Sequence, residues 1–311
     1  GIAPTFKTLG FENTGDEKIE NNRDEPSRKF FKLNINYFKL IIKKLSRGNF
    51  SWLLLEVISK ISFNKLELRI DKVVEIKRID LSNKVSKIFN NTVQEGPFKG
   101  MVISEDQFWG PGDKASKILG LYEKEIQNLL NHIQEKNNFP TFIDIGGADG
   151  FFAVGSVKNN LFKNCEVFEI SKRGRQSIEE SAIKNNVADL ISIKSEANEK
   201  TLSSIENINN SVILCDIEGS EYDLFSENLI KNMHPSNVII EIHKNPDISL
   251  NEFEDKFKNL FSINKITQGP RSLKGFGELK NFNDNNRSLL ASEGRSYIQE
   301  WWHLSPKKIK F

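Results

Sequence analysis

Cysteine is scarce in this chain of 311 residues, which contains only Cys165 and Cys215. Two cysteines exclude a disulfide framework and a four-cysteine zinc site, and they favour a reducing, cytoplasmic setting. Long apolar runs are also missing, because Glu56 and Lys60 interrupt the apolar stretch that begins at Trp52. A membrane-spanning helix requires about 20 predominantly apolar residues, so no span is predicted there.

A strong charge of one sign is absent as well. The formal net charge is +2, which is too close to zero to indicate a nucleic-acid partner. What the sequence does contain is 38% hydrophobic and 28% charged residues, the composition of a globular protein with a real core. This excludes wholesale disorder, a collagen-like repeat and a multi-span membrane protein. The length predicts one large domain or two ordinary ones.

The first third of the chain predicts an accessory region. Residues 1–29 are polar and lack periodicity, so we expect a flexible lead. Residues 30–95 predict a mostly helical region of two amphipathic helices, with a strand or hairpin where residues 66–79 partly alternate. Residues 30–90 carry 13 basic but only 5 acidic side chains. This segment could contact an anionic membrane surface or another polyanion, or support self-association; the alternative is a solvated helical face.

From residue 96 to residue 311 the pattern predicts a second domain. A short strand is expected at 96–104 and a helix at 117–136. Short apolar runs then alternate with helical patterns, at 141–145, 166–170, 190–193, 212–215, 238–242 and 261–266. This alternation is typical of βαβ units, so we expect an α/β fold with a doubly wound, mainly parallel sheet. Ligands of such sheets bind beyond the carboxyl ends of the strands.

A glycine-rich turn follows the first of these strands. Gly146, Gly147 and Gly150 permit a sharp turn and a close backbone approach to a ligand. Glu169 ends the next strand, about 20 residues further on, where a carboxylate commonly bonds ribose hydroxyls. Together these features predict a nucleoside cofactor, although an ordinary tight turn is the alternative. A dinucleotide pattern would put its third glycine at Phe151, which disfavours a nicotinamide-dependent oxidoreductase.

Acidic residues follow the fourth apolar run. Asp216 and Glu218 are two positions apart and would share a face if both extended the strand, and Glu221 would lie in a first helical turn. Glu241 and His243 end the neighbouring strand. The alternative to a functional cluster is helix capping by solvated acids.

This acidic cluster admits two chemistries. His243 could remove a proton from an acceptor near neutral pH, with Asp216 and Glu218 beside it, or Asp216 could act if neighbouring carboxylates raise its pKa. Asp216, Glu218 and Glu241 could instead hold a divalent cation such as Mg²⁺.

These motifs together resemble the FkbM-like family of class I S-adenosylmethionine-dependent methyltransferases. The resemblance rests on FIDIGGADGFFAVG (142–155), VFEI (167–170), CDIEGSEYDLF (215–225) and VIIEIH (238–243), in that order. It extends to an upstream segment (109–126, WGPGDKASKILGLYEKEI) and a closing segment (285–306), and so covers about residues 96–306. The resemblance implies a seven-stranded Rossmann-like sheet whose last strand, at 299–304, is antiparallel.

The resemblance also implies the site. S-adenosylmethionine would be the cofactor, with its amino-acid part beside Asp144 and the turn, its ribose at Glu169, its adenine at Glu196 and Ala197, and its methyl group near Asp216. The implied reaction is O-methylation of a hydroxyl of a sugar, in a surface glycan or a natural product. No nucleic-acid substrate is expected. The open alternatives are the oxidoreductase and a non-catalytic cofactor-fold scaffold that acts through the basic segment.

Overall fold

A computed structural model describes residues 50–105, 107, 109–243, 245 and 247–308, with side chains from Ile70 onward. The predicted flexible lead at 1–29, and residues 30–49 of the predicted helical region, lie outside the described residues. The chain divides into two compact units, and the boundary lies between Val74 and Glu75.

The first described element is helix α1, Phe50–Phe89. The prediction of a strand or hairpin at 66–79 is therefore wrong. That stretch contains no glycine or proline to make a turn, and its leucine, glutamate, lysine and arginine residues are good helix formers. In the second unit, α1 buries Leu81 and Val85 in the same core as Val93. The predicted domain boundary at 95/96 thus differs from the boundary after Val74, because side chains of residues 75–95 pack in the same hydrophobic core as the strands.

The sheet has seven strands in the order β3-β2-β1-β4-β5-β7-β6. The strands are β1 Thr141–Ile145, β2 Asn164–Phe168, β3 Ile191–Lys194, β4 Ser211–Cys215, β5 Asn237–Ile242, β6 Phe261–Thr267 and β7 Glu300–Pro306. Strands β1 to β5 pair in parallel, and β7 is antiparallel to both β5 and β6. The expected doubly wound sheet with its last strand antiparallel is confirmed.

Helices connect and cover these strands. After α1 they are α2 Lys114–Ile118, α3 Lys124–Asn137, α4 Phe151–Lys158, α5 Lys172–Lys184, α6 Glu199–Ser203, α7 Glu221–Leu224, α8 Glu227–Met233, α9 Leu250–Phe257 and α10 Asp284–Leu290. The predicted helix at 117–136 is in fact divided between α2 and α3. Gly120 has φ +69°, and a Cβ there would lie 2.3 Å from the carbonyl oxygen of Glu95. The predicted strand at 96–104 is also wrong, since only an isolated bridge joins Val102 to Thr92.

The core lies on both faces of the sheet. Phe142 and Val212 belong to one buried cluster, whereas their neighbours Ile143 and Ile213 belong to the other. This alternation follows from the pleat, which points successive side chains to opposite faces. The central strands β4 and β5 are buried along their whole length, which explains their largely apolar sequences, whereas the edge strands β3 and β6 are partly exposed. Within the described residues, no helix has the length and apolar character needed to cross a membrane.

Candidate functional site

A cavity of about 510 Å³ opens at the carboxyl ends of β1, β2 and β4. Its lining includes the glycine-rich turn, Glu169 and the loop that follows β4, and it also includes four residues of the upstream segment. The sequence-predicted cofactor residues on this lining are Asp144, Gly146, Gly147, Glu169, Glu196, Ala197 and Asp216. Gly150 follows the turn in the chain and directly precedes α4, with φ +82°.

The glycine-rich turn is packed so closely that it excludes side chains. A Cβ on Gly146, whose φ is +99°, would lie 1.8 Å from the carbonyl oxygen of Asp216. A Cβ on Gly147 would lie 2.3 Å from Cγ2 of Val167. The amides of both glycines donate to the carbonyl oxygen of Phe168, at 2.9 and 3.0 Å. The turn is therefore a fixed cradle of backbone at the floor of the cavity.

Glu169 is held in place by backbone amides. Its Oε2 accepts from the amide of Ala148 at 2.8 Å, and its Oε1 accepts from the amide of Ser171 at 2.7 Å. Each carboxylate oxygen has two lone pairs, so each can accept a further hydrogen bond. A fixed carboxylate of this kind can receive a pair of vicinal hydroxyl groups.

Asp144 is a buried carboxyl group with spare hydrogen-bonding capacity. Its residue is 3% exposed, and its Oδ2 accepts no hydrogen bond from the described residues. Burial, followed by the charge of Glu169, raises the pKa of Asp144 to about 7. A cationic group in the cavity would lower the pKa of Asp144, because an opposite charge favours the ionised carboxylate.

The acidic residues after β4 do meet the histidine after β5. Nε2 of His243 lies 3.6 Å from Oδ1 of Asp216, 3.5 Å from Oε2 of Glu218 and 3.8 Å from Oε1 of Glu241. The condition under which Asp216 and Glu218 would share a strand face is not met, because β4 ends at Cys215 and Glu218 has φ +56°. They line the cavity, whereas His243 lies beside them with 14% of its side chain exposed.

The charges of this cluster change its proton affinities. Burial, then the charges of Glu241, Glu123 and Glu218, raises the pKa of Asp216 well above its ordinary value. Burial alone would lower the pKa of His243, but a hydrogen bond to Glu221 and the nearby carboxylates outweigh it and raise that pKa above 6.5. The surroundings of His243 are thus strongly acidic.

Three residues could each offer one ligand atom to a cation, namely Asp216, Glu241 and His243, whose atoms lie within 4.8 Å of one another. Glu241, however, is already engaged. Its Oε1 accepts from Arg295 at 2.8 Å, and its Oε2 accepts from Nε1 of Trp301 at 3.1 Å. A cation at Glu241 would also be repelled by the guanidinium group. A metal at Asp216, Glu218 and Glu241 therefore stays a prediction, and these contacts count against it.

A buried ionic network that the sequence did not predict adjoins the acidic cluster through Glu241, which contacts both His243 and Arg295. Arg295 donates to Glu123, Glu241 and Glu293, and Arg271 joins Glu293 to the carboxylate of Glu125. Burial, then the charge of Glu241, raises the pKa of Glu123 to about 8. Both arginines precede β7 in the chain. Their partners from the upstream segment, Glu123 and Glu125, lie at the start of α3. The two flanking segments contain Glu123, Glu125, Glu293 and Arg295, but no signal in the sequence shows that these residues meet.

Lys117 is a second functional candidate that the sequence motifs did not single out. Its side chain is 5% exposed, and its Nζ lies 3.1 Å from Oε1 of Gln107 and 3.7 Å from Oδ2 of Asp149. It also lies 5.1 Å from the ring centroid of Tyr122. Among the described residues that line the cavity, Lys117 is the only lysine or arginine.

Comparison with known proteins reveals only distant similarity. No protein-family model matches the sequence, and no curated protein matches it either. Among solved structures, the MccD protein is 17% identical over 60% of this chain and 97% of that chain, with a TM-score of 0.41. TrmK of M. capricolum, in complex with S-adenosyl-homocysteine, is 15% identical over 58% of this chain and 68% of its own, with a TM-score of 0.40.

A further similar structure is Sp1610 of Streptococcus pneumoniae, a putative tRNA (m1A22) methyltransferase in complex with S-adenosyl-L-methionine. It is 12% identical over 61% of this chain and 75% of its own, with a TM-score of 0.41. The fold assignment of this chain rests on the strand order and the antiparallel β7 described above.

Proposed function

We propose that this chain is an S-adenosylmethionine-dependent methyltransferase. The observation that supports it is the joint lining of one cavity by the Gly146–Gly147 turn, the backbone-held Glu169 and the acidic loop after β4. The residues fit the chemical groups of the cofactor. Glu169 would accept from the ribose hydroxyls, and Ser195, Glu196 and Ala197 would lie beside the adenine.

The amino-acid part of the cofactor carries one positive and one negative charge, and the cavity offers a partner for each. Asp144 is a buried carboxyl group with a spare oxygen, and Lys117 is a buried cation. Asp144 would pair with the ammonium group and Lys117 with the carboxylate, in place of the water that these groups lose on binding, since a buried charge must be paired. Bound S-adenosylmethionine would supply a methyl group activated by its sulfonium.

The acceptor side supports an oxygen-directed reaction. Asp216 and Glu218 line the cavity, and His243 lies within 3.6 Å of both. A positioned base that takes the proton of a hydroxyl contributes about 10²–10⁴ in rate. His243 would be this base, with Asp216 and Glu218 orienting the acceptor. A sugar hydroxyl of a glycan or natural product is the acceptor class that the sequence resemblance favours.

Titration calorimetry with S-adenosylhomocysteine tests the cofactor assignment. Glu169→Gln should weaken binding by about 10- to 100-fold, because a hydrogen bond to a charged group is worth about 1.5–3 kcal/mol. Gly146→Ala should abolish binding, since its Cβ would collide with the backbone of Asp216. Gly277→Ala is the matched control, because a Cβ there meets nothing within 4 Å.

Circular dichroism establishes that each variant is folded. Unchanged affinity in folded Glu169→Gln would contradict the assignment of the ribose site. Binding of reduced nicotinamide dinucleotide in place of S-adenosylhomocysteine would support the alternative oxidoreductase.

Transfer of a radiolabelled methyl group tests the acceptor class. Polysaccharide and transfer RNA isolated from one batch of cells would be supplied as parallel acceptors. The two products would be separated before their radioactivity is counted. We expect label in the polysaccharide. Label confined to RNA would refute the glycan assignment while leaving the methyltransferase assignment intact. Cofactor binding without transfer to either pool would leave two explanations, a natural-product acceptor absent from both pools and the scaffold alternative.

A further inference from the structure

Glu221 is a buried carboxylate that joins the loop after β4 to the residue after β5. It is the first residue of α7, and its side chain is 1% exposed. Its Oε1 accepts from the amide of Ile217 at 2.9 Å and lies 3.0 Å from Nδ1 of His243. One oxygen therefore connects the acidic loop with the imidazole ring.

This contact determines which ring nitrogen of His243 carries the proton. A carboxylate oxygen can only accept, so Nδ1 must donate. In the neutral ring, the lone pair then lies on Nε2. Nε2 is directed to the side of Asp216 and Glu218, at 3.6 and 3.5 Å, which are longer than a normal hydrogen bond.

The backbone of His243 is held by the next residue of the same helical turn. The hydroxyl of Tyr222 donates to the carbonyl oxygen of His243 at 2.5 Å, and the carbonyl oxygen of Tyr222 accepts from Nζ of Lys256 at 3.1 Å. Consecutive residues of α7 thus restrain both the side chain and the main chain of His243. A histidine that only filled space would need neither restraint.

We propose that Glu221 is a positioning residue that fixes His243 in its Nδ1–H tautomer and leaves Nε2 free to take a proton from the acceptor. The proposal rests on the proposed function, in which His243 is the base. Glu221 acts through His243 and does not itself touch the acceptor. A role limited to bonding the amide of Ile217 would stabilise the loop but would leave the tautomer of His243 unaffected.

The tautomer can be measured directly on the full chain labelled with ¹⁵N-histidine. Because the acidic surroundings raise the pKa of His243, long-range proton–nitrogen spectra would be recorded at increasing pH until its nitrogen shifts stop changing, which shows that the ring is neutral. The signal of His243 is identified by its loss in His243→Gln. We expect Nδ1–H in the wild type, a shift to the Nε2–H form that free histidine prefers in Glu221→Ala, and retention of Nδ1–H in Glu221→Gln, whose amide oxygen can still accept.

The matched control is Asp223→Asn, which removes an exposed carboxylate from the same helical turn and should leave the spectrum unchanged. An Nε2–H signal in the wild type would overturn the proposal, even if Glu221→Ala did not fold. Retention of Nδ1–H in folded Glu221→Ala would also overturn it. Failure of the proposed function would appear separately, as a lack of S-adenosylhomocysteine binding in calorimetry on the same wild-type sample.

Discussion

Asp144 couples the pH of the solution to the proposed cofactor site. Its pKa is raised to about 7, so the carboxyl group is protonated below that pH and ionised above it. The ionised form attracts an ammonium group by its negative charge, whereas the protonated form offers only a neutral carbonyl oxygen. Affinity for S-adenosylhomocysteine should therefore fall about tenfold for each pH unit below 7.

Calorimetry at about pH 6, 7 and 8 measures this dependence. Asp144→Asn should bind weakly at every pH and lose this slope, because its amide does not titrate. Other groups of the site, such as Glu123 with its pKa of about 8, remain in both proteins, so the comparison isolates Asp144. A flat affinity in the wild type, or the same slope in the variant, would contradict the role given to Asp144.

Residues within one local pattern could be predicted from the sequence, and residues that meet across the chain could not. Gly146 and Glu169 follow strands at recognisable spacings, and both line the cavity. Glu123 and Arg295 are 172 positions apart and meet only through the fold. Periodicity did not place Lys117 on the buried side of its predicted helix. In the structure Lys117 is buried beside Gln107 and Asp149, and the sequence does not show that these residues are its neighbours.

At the scale of secondary-structure elements, Arg295 joins the closing segment to the residue that precedes α3 and to β5. Its side chain is 10% exposed, and its partners Glu123 and Glu241 are each 3% exposed. Removing one partner of a buried ion pair typically costs about 3–5 kcal/mol, because it leaves an uncompensated buried charge. Arg295→Met should lower the free energy of unfolding by about this amount.

Urea denaturation followed by circular dichroism measures the effect of Arg295→Met. Lys231→Met is the control, because Lys231 and its partner Glu227 are 66% and 84% exposed. Exposed pairs of this kind contribute little, so its unfolding midpoint should not move. Equal midpoints for the two variants would mean that the network of Arg295 does not stabilise the fold.

Elements buried on both sides were the most predictable from the sequence. Each of the strands β1 to β6 overlaps a predicted apolar run. For β4 and β5, which are buried along their whole length, the run is explained by cover on both faces of the sheet, whereas β3 and β6 at the sheet edges are partly exposed. Two errors fall at 66–79 and 96–104, where mixed sequences carry weak periodicity, and a third is the break within the helix predicted at 117–136. At 66–79 the outcome was decided by continuity with the helix on either side, which a short window of sequence does not reveal.

At the scale of the whole molecule, the sequence and the structure place the domain boundary at different positions. The family resemblance begins near residue 96, yet the unit that bears the sheet begins at Glu75. Resemblance follows functional motifs, whereas a domain boundary follows packing. The proposed membrane contact of residues 30–90, self-association and the cytoplasmic location stay predictions.

Two truncations distinguish these boundaries. Deleting residues 1–74 should leave a folded protein with unchanged affinity for S-adenosylhomocysteine, because the chain divides after Val74. Deleting residues 1–95 should instead unfold it, since Leu81, Val85 and Val93 are each at most 1% exposed in the core. Burial of each such side chain contributes about 1.5–3 kcal/mol, and a domain is stable by only about 5–15 kcal/mol.

The longer deletion also removes Arg78, which donates to Asp113 in the upstream segment and to the carbonyl oxygen of Ser292 in the closing segment. Without it, the carboxylate of Asp113 would lose its buried cation, and the upstream and closing segments would lose a shared contact. Thermal denaturation and calorimetry on both fragments measure the outcome. A folded 96–311 fragment that binds S-adenosylhomocysteine normally would show that the boundary at 95/96 is correct and that residues 75–95 are dispensable for the core.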